Sequence, residues 1–139
     1  MTIRQILFRD SSPAQKAALA FALCLDHSTH KILNLVGPLS DGRSLASSLY
    51  RYISGISPDA VYLIGKDVHA PSRRCYRAKC LILVAECDDL SAPAVQAFLS
   101  RLLRRRHDLS LKTLVVTDQE LTAFGHLHCL APVCHAVSM

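Results

Sequence analysis

The sequence predicts a three-layer α/β domain with a mostly parallel sheet. Three observations carry that expectation. Short apolar runs alternate with helical stretches along the chain. One run, Cys80–Ala85 (CLILVA), is apolar at every position, as a strand covered on both faces must be. A third feature is the apolar run at 31–36, which ends at Gly37-Pro38 and leads into an amphipathic helix.

A chain of 139 residues suffices for one domain and one core, and residues 1–139 are read as a single unit. Half of the residues are hydrophobic and 19% are charged, which favours a packed globule over a disordered chain. Trp is absent and aromatics make up 6%, so the core has to be aliphatic. No apolar run approaches the ~20 residues that a spanning helix needs. The longest, at 17–25, follows Gln15 and Lys16 and precedes Asp26. Arg4, Arg9 and Asp10 precede it, and Ser12-Pro13 reads as a helix start, so it is taken as a helix rather than a signal-peptide core. The expectation is an intracellular protein, nuclear or cytoplasmic, with no membrane partner. Cys24, Cys75, Cys80, Cys87, Cys129 and Cys134 are scattered, several within apolar runs, where a thiol acts as a small hydrophobe. That usage suits a reducing compartment.

In chain order, Ser12-Pro13 caps an N-terminal helix at 14–25, within a leading segment at 1–30 that closes on a polar turn. Residues 31–36 (KILNLV) form a strand, 37–42 a loop, and 44–53 a helix with Leu45, Leu49, Tyr52 and Ile53 on one face. Gly55 to Pro58 breaks the chain before the strand Ala60–Ile64 (AVYLI). Residues 65–77 are polar and read as loop. After Cys80–Ala85, Ser91 caps a helix at 92–106. Residues 111–116 (LKTLVV) form a fourth strand, Asp118 caps a short helix ending at Gly125, and 126–139 read as an irregular tail. The strands 31–36 and Cys80–Ala85 are expected at the centre of the sheet, flanked by the other two.

The junction at 37–44 reads Gly-Pro-Leu-Ser-Asp-Gly-Arg-Ser. It matches the spacing of the phosphate-binding loop, G-x-x-x-x-G-K-[ST], between a strand and a helix. There the glycines turn backbone amides toward a phosphate, and the helix N-terminus adds partial positive charge. Gly37, Pro38, Gly42, Arg43 and Ser44 are the candidate nucleotide-binding residues, and Ser44 stands where a hydroxyl would ligate Mg²⁺. Two residues oppose that role. Arg43 replaces the lysine, and a planar guanidinium is not equivalent to a compact ammonium. Asp41 places a carboxylate beside the expected phosphates. The same octapeptide also suits a plain strand–turn–helix junction.

Glu86, Asp88 and Asp89 follow the strand Cys80–Ala85, where an NTPase holds Mg²⁺ and polarises water. Glu86 is the candidate catalytic acid, and Ser44, Glu86, Asp88 and Asp89 are the candidate metal ligands. Asp88 and Asp89 also suit the start of the next helix. Thr117-Asp118-Gln119 ends another strand in polar residues, with Gln119 as candidate γ-phosphate sensor.

Together these stretches resemble the superfamily 3 helicase domain of small DNA viruses, above all the parvoviral replication (Rep) proteins, within the wider class of AAA+ and related P-loop ATPases. The likeness covers about 31–119. Gly37, Pro38, Gly42 and Ser44 match the family's first motif, while Arg43 departs from its lysine and Asp41 from its threonine. The second motif's acid pair reads Ala85-Glu86, and Gln119 falls at the place of the third motif's Asn. The family's DNA-gripping hairpin has no room between 103 and 114. The resemblance implies a P-loop fold, with ATP and Mg²⁺ as cofactors if any. It also implies a reduced, inactive relative of a replication helicase that binds protein subunits or nucleic acid. The alternatives are a weakly active Mg-ATP-dependent DNA helicase subunit, an inactive AAA+-type subunit of a larger complex, and an α/β interaction module whose loop match is accidental.

The net charge of +5 is concentrated in two groups: Arg73, Arg74, Arg77 and Lys79, and then Arg101, Arg104, Arg105 and Arg106. The second group, at a helix end, is the candidate nucleic-acid contact, non-specific and electrostatic because no aromatic residue lies among the four. It equally suits a solvated helix C-terminus. His126, His128, Cys129, Cys134 and His135 gather possible zinc ligands at a spacing that matches no standard knuckle.

Overall fold

The computed structural model describes residues 31–56, 60–64 and 73–138. The helix expected at 14–25 lies outside the described residues. The elements run β1 (Ile32–Val36), α1 (Leu39–Ile56), β2 (Ala60–Ile64), α2 (Arg74–Arg77), β3 (Cys80–Ala85), α3 (Cys87–Leu90), α4 (Pro93–Asp108) and β4 (Lys112–Thr117). Two 3-10 turns, Leu121–Ala123 and Gly125–Val133, then lead to β5 (Cys134–Ser138).

All five described strands are parallel, in the order β2-β3-β4-β1-β5. The expected fold class holds, but two placements do not. β4, expected as a flank, is the middle strand, pairing β3 on one side and β1 on the other. Its start, Lys112-Thr113, looks polar in sequence, yet Thr113 is fully buried because its hydroxyl has an internal partner. The tail at 126–139 is also not irregular. It forms a 3-10 turn and then β5, which pairs with β1 from Ile32↔Cys134 to Val36↔Ser138. β5 edges the sheet with His135, Ala136 and Ser138 exposed, so it carries no apolar signature to read. The span 65–77, read as loop, contains α2 at its end.

Side chains alternate across the sheet. On one face Ile32, Leu81, Leu83, Ala85 and Val115 form a core with Leu90 of α3, Val95, Leu99, Leu102 and Leu103 of α4, and Leu121, Leu127 and Leu130 of the 3-10 turns. On the other face Leu33, Leu35, Ile82, Val84, Leu114 and Val116 are buried, and α1 supplies Leu45 and Ala46. Each fully buried Leu contributes about 1.5–3 kcal/mol relative to exposure. The described side chains confirm an aliphatic core, and no disulfide joins Cys75, Cys80, Cys87, Cys129 or Cys134. Among the described residues no helix is long and apolar enough to cross a membrane.

α4 begins with Pro93 at its first turn, where a missing N–H costs nothing. It ends at Ser110, whose φ of 57° is left-handed. Ser110 N–H donates to the His107 carbonyl at 2.9 Å, and Leu111 N–H to the Arg106 carbonyl at 2.9 Å. This is a Schellman closure with serine where glycine is favoured.

Candidate functional site

In a parallel sheet the C-terminal ends of the strands share one edge, and ligands of open α/β folds sit there. β1, β3 and β4 bring 37–44, 86–89 and 117–119 to that edge, so the three sequence signals do converge.

The phosphate loop itself is not formed. Gly37 and Pro38 alone separate β1 from α1, which begins at Leu39. Gly37 N–H donates to the Thr117 carbonyl at 3.0 Å, tying the junction to β4. Leu39 to Gly42, expected in a loop, are helical, as are Arg43 and Ser44. The amides of Arg43 and Ser44 lie past the first turn, where helical N–H groups bond to the carbonyl four residues back. They are therefore withheld from a phosphate. The physical reason lies in 39–44: nothing after Pro38 obliges the chain to leave helical geometry once proline has pre-set the entry.

The Arg43 side chain crosses the edge to Glu86, with Nη2 at 2.5 Å from Oε1. Both side chains are about half exposed, at 55% and 45%. Glu86 is also the N-cap of α3. Its side chain accepts from the Asp89 backbone, while its own N–H donates to Asp89 Oδ2 at 3.1 Å. This reciprocal capping box places Asp89 in the helix start rather than in a metal shell. Asp88 is exposed, and its carbonyl accepts from Ser91 Oγ at 2.9 Å. Among the described residues no group of three or more His, Cys, Asp or Glu could hold a metal ion, the 126–135 cluster included.

Sequence reasoning missed Asn34. It lies inside β1 with 1% exposure. Its Nδ2 donates to the Val115 carbonyl at 3.1 Å and to Thr117 Oγ1 at 2.9 Å, and its Oδ1 accepts from Leu121 N–H at 2.8 Å. Thr117 Oγ1 donates in turn to the Gln119 carbonyl at 2.5 Å. Asn34 thus fixes the turn that carries Gln119, whose side chain is exposed. The available signal was a lone amide in the apolar run KILNLV, since a buried amide must be hydrogen-bonded.

The residues at this edge do not fit Mg-ATP in the manner of a working P-loop. The loop is helical, the arginine in the lysine position is paired to the acid, and the second acid caps a helix.

The second correction concerns Arg106, expected to reach nucleic acid. It is 0% exposed. Nε donates to Thr113 Oγ1 at 2.8 Å, Nη1 to the Cys75 and Ala78 carbonyls at 2.8 Å each, and Nη2 to the Lys112 carbonyl at 2.7 Å. It therefore satisfies carbonyls at the C-terminal end of α2 and holds that short helix to α4 and β4. Arg104 donates to the Cys129 carbonyl at 3.0 Å. Of the four arginines, Arg101 and Arg105 are exposed. Arg106 lies three and four residues after the buried Leu103 and Leu102, on the apolar stripe of α4, and that spacing was the legible sign.

Solved structures with the same arrangement settle the architecture. Domain III of the Thermotoga maritima replication initiation protein DnaA matches with a TM-score of 0.67 at 17% identity, covering 92% of this chain and 63% of that one. A structure described as a DNA replication initiation factor matches at 0.72 and 11% identity, covering 91% and 44%. The fold is that of an AAA+ ATPase domain. AMPPCP-bound DnaA from Aquifex aeolicus matches this AAA+ fold at 0.69 and 9% identity, over 92% of this chain and 47% of that chain. The chain thus spans less than two thirds of each of these structures. No protein-family model matches the sequence, and no curated protein matches it.

Proposed function

We propose that this chain is a reduced AAA+-fold unit of a DNA-replication apparatus that does not hydrolyse ATP and works by binding protein subunits or nucleic acid. One observation carries the loss of hydrolysis: Arg43 and Glu86, at the positions of the P-loop cation and the metal-site acid, pair with each other. Phosphoryl transfer needs a cation on the β- and γ-phosphates and an acid that holds Mg²⁺ and orients water. Arg43 is not the compact cation of a P-loop, Glu86 is engaged as a helix N-cap, and the helical 39–44 segment leaves first-turn amides without a loop that wraps a phosphate. The replication setting is supported by the description of the neighbours as initiation proteins. The finer kinship with parvoviral Rep helicases is supported by the octapeptide at 37–44.

Isothermal titration with ATP and Mg²⁺, alongside a phosphate-release assay, tests this reading. The expected result is no saturable heat and no turnover. Robust turnover that disappears in Glu86→Gln would establish the alternative, a weakly active Mg-ATP-dependent helicase subunit.

A further inference from the structure

The sequence separates its basic residues into two groups, and the structure joins them. α4 runs antiparallel to the strands, so its last turn reaches the edge of the sheet opposite the Arg43–Glu86 pair. There Arg106 spans from α4 to the Cys75 and Ala78 carbonyls of α2. Exposed Arg105 therefore sits on the turn docked beside exposed Arg73, Arg74 and Arg77.

At α2 lies a cavity of about 600 Å³ whose described lining is Arg73, Arg74, Tyr76 and Arg77. That volume falls in the range of small-ligand clefts. Among the described residues no carboxylate lines it or forms an ion pair with these three arginines. Three like charges around one concavity repel one another, and an anion relieves that repulsion. Guanidinium forks match phosphate oxygens in geometry as well as charge.

Tyr76 narrows the class of anion. Its ring is half-buried on the cavity wall and rests edge-on against Phe98, with centroids 6.3 Å apart and an interplanar angle of 88°. A T-shaped contact holds the ring in place and covers at most one of its two faces. An acidic peptide has no use for such a face, whereas a splayed nucleotide has. Combining a basic concavity with an aromatic platform is how single-stranded nucleic acids are held without sequence preference.

We propose that the Arg73–Arg74–Arg77 cavity binds single-stranded nucleic acid, with phosphates on the guanidiniums and a base on Tyr76. This site is separate from the P-loop edge, and its failure leaves the reading of Arg43 and Glu86 untouched.

The test is fluorescence anisotropy of a labelled twelve-residue oligothymidylate with the full chain at low salt. It compares the parent, an Arg73/Arg74/Arg77→Ala variant, Tyr76→Leu, and an Arg101/Arg105→Ala control. The three arginines are exposed, so the triple variant keeps its fold, as circular dichroism checks. It should bind at least about 10-fold more weakly, and the slope of log K against log salt should fall by about 2, given ~0.7 per phosphate contact on single strands. Tyr76→Leu should lose about 5-fold or more at unchanged salt slope, since stacking carries no charge. The control should lose less than the triple variant. The proposal is overturned if the parent does not bind, if the triple variant binds like the parent, or if Tyr76→Leu has no effect. It is also overturned if poly-glutamate competes as well as unlabelled oligothymidylate, which would assign the surface to an acidic polypeptide. A mononucleotide that saturates the cavity at the same affinity would overturn the strand as occupant.

Discussion

Two arginines at opposite edges of one sheet show how far burial decides what a charge does. Arg43 meets a carboxylate in the open, and Arg106 donates to four neutral oxygens and is fully buried. Water competes for the first pair, and exposed ion pairs contribute about 0–1 kcal/mol. The second contact has no such competitor, so removing it takes a buried donor from each acceptor it serves. The edge where a nucleotide would sit is thus closed by a weak, exchangeable contact, and the opposite edge is fastened by a strong one.

The largest expected effect comes from breaking the fastened edge. Arg106→Leu removes the buried donor that the Cys75, Ala78 and Lys112 carbonyls and the Thr113 hydroxyl share, and should lower unfolding stability by about 3–5 kcal/mol in urea titration. A loss under 1 kcal/mol would erase the contrast between the two arginines.

Asn34→Leu should cost about 2–3 kcal/mol, because the Leu121 amide loses its acceptor and the Thr117 hydroxyl one of its two partners. It should also raise hydrogen exchange at Leu121. Unchanged exchange there would mean that the turn after β4 holds itself.

Cys134 gives a pH dependence. Burial, with Glu120 adding to it, pushes its thiol from the ordinary 9.0 up to about 11. The unfolded chain ionises near 9 while the folded thiol holds its proton, so this contribution is intact below pH 9 and declines as pH rises to about 11. The loss should reach about 1 kcal/mol after allowance for partial exposure, and Cys134→Ala should remove that component.

Ser110→Gly should stabilise by about 0.5–1 kcal/mol by relieving the left-handed φ, read as a rise in the thermal midpoint. The smallest effect belongs to the open pair. Arg43→Ala should change stability by less than about 1 kcal/mol. Arg43→Lys should not confer ATP binding, because it restores the charge without re-forming the loop. Saturable ATP binding by that variant would show that the side chain, and not the helical junction, closed the edge.

The sequence by itself determined four of the five described strands and the aliphatic core. KILNLV, CLILVA and LKTLVV each read as strands, because apolar runs of that length have to be buried. It also placed Gly37, Glu86 and Gln119 at strand ends, where parallel topology gathers them. Tertiary structure decided the rest. β4 became central and 134–138 a strand because pairing partners were available, which no local pattern encodes. Arg43 met Glu86, and Arg106 was buried while Arg105 was not, because these contacts join residues 43 and 28–31 positions apart. A charged side chain carries the same local propensity on either side of the surface. Only the neighbours that the fold brings to it determine whether it faces water, a carboxylate or a row of carbonyls.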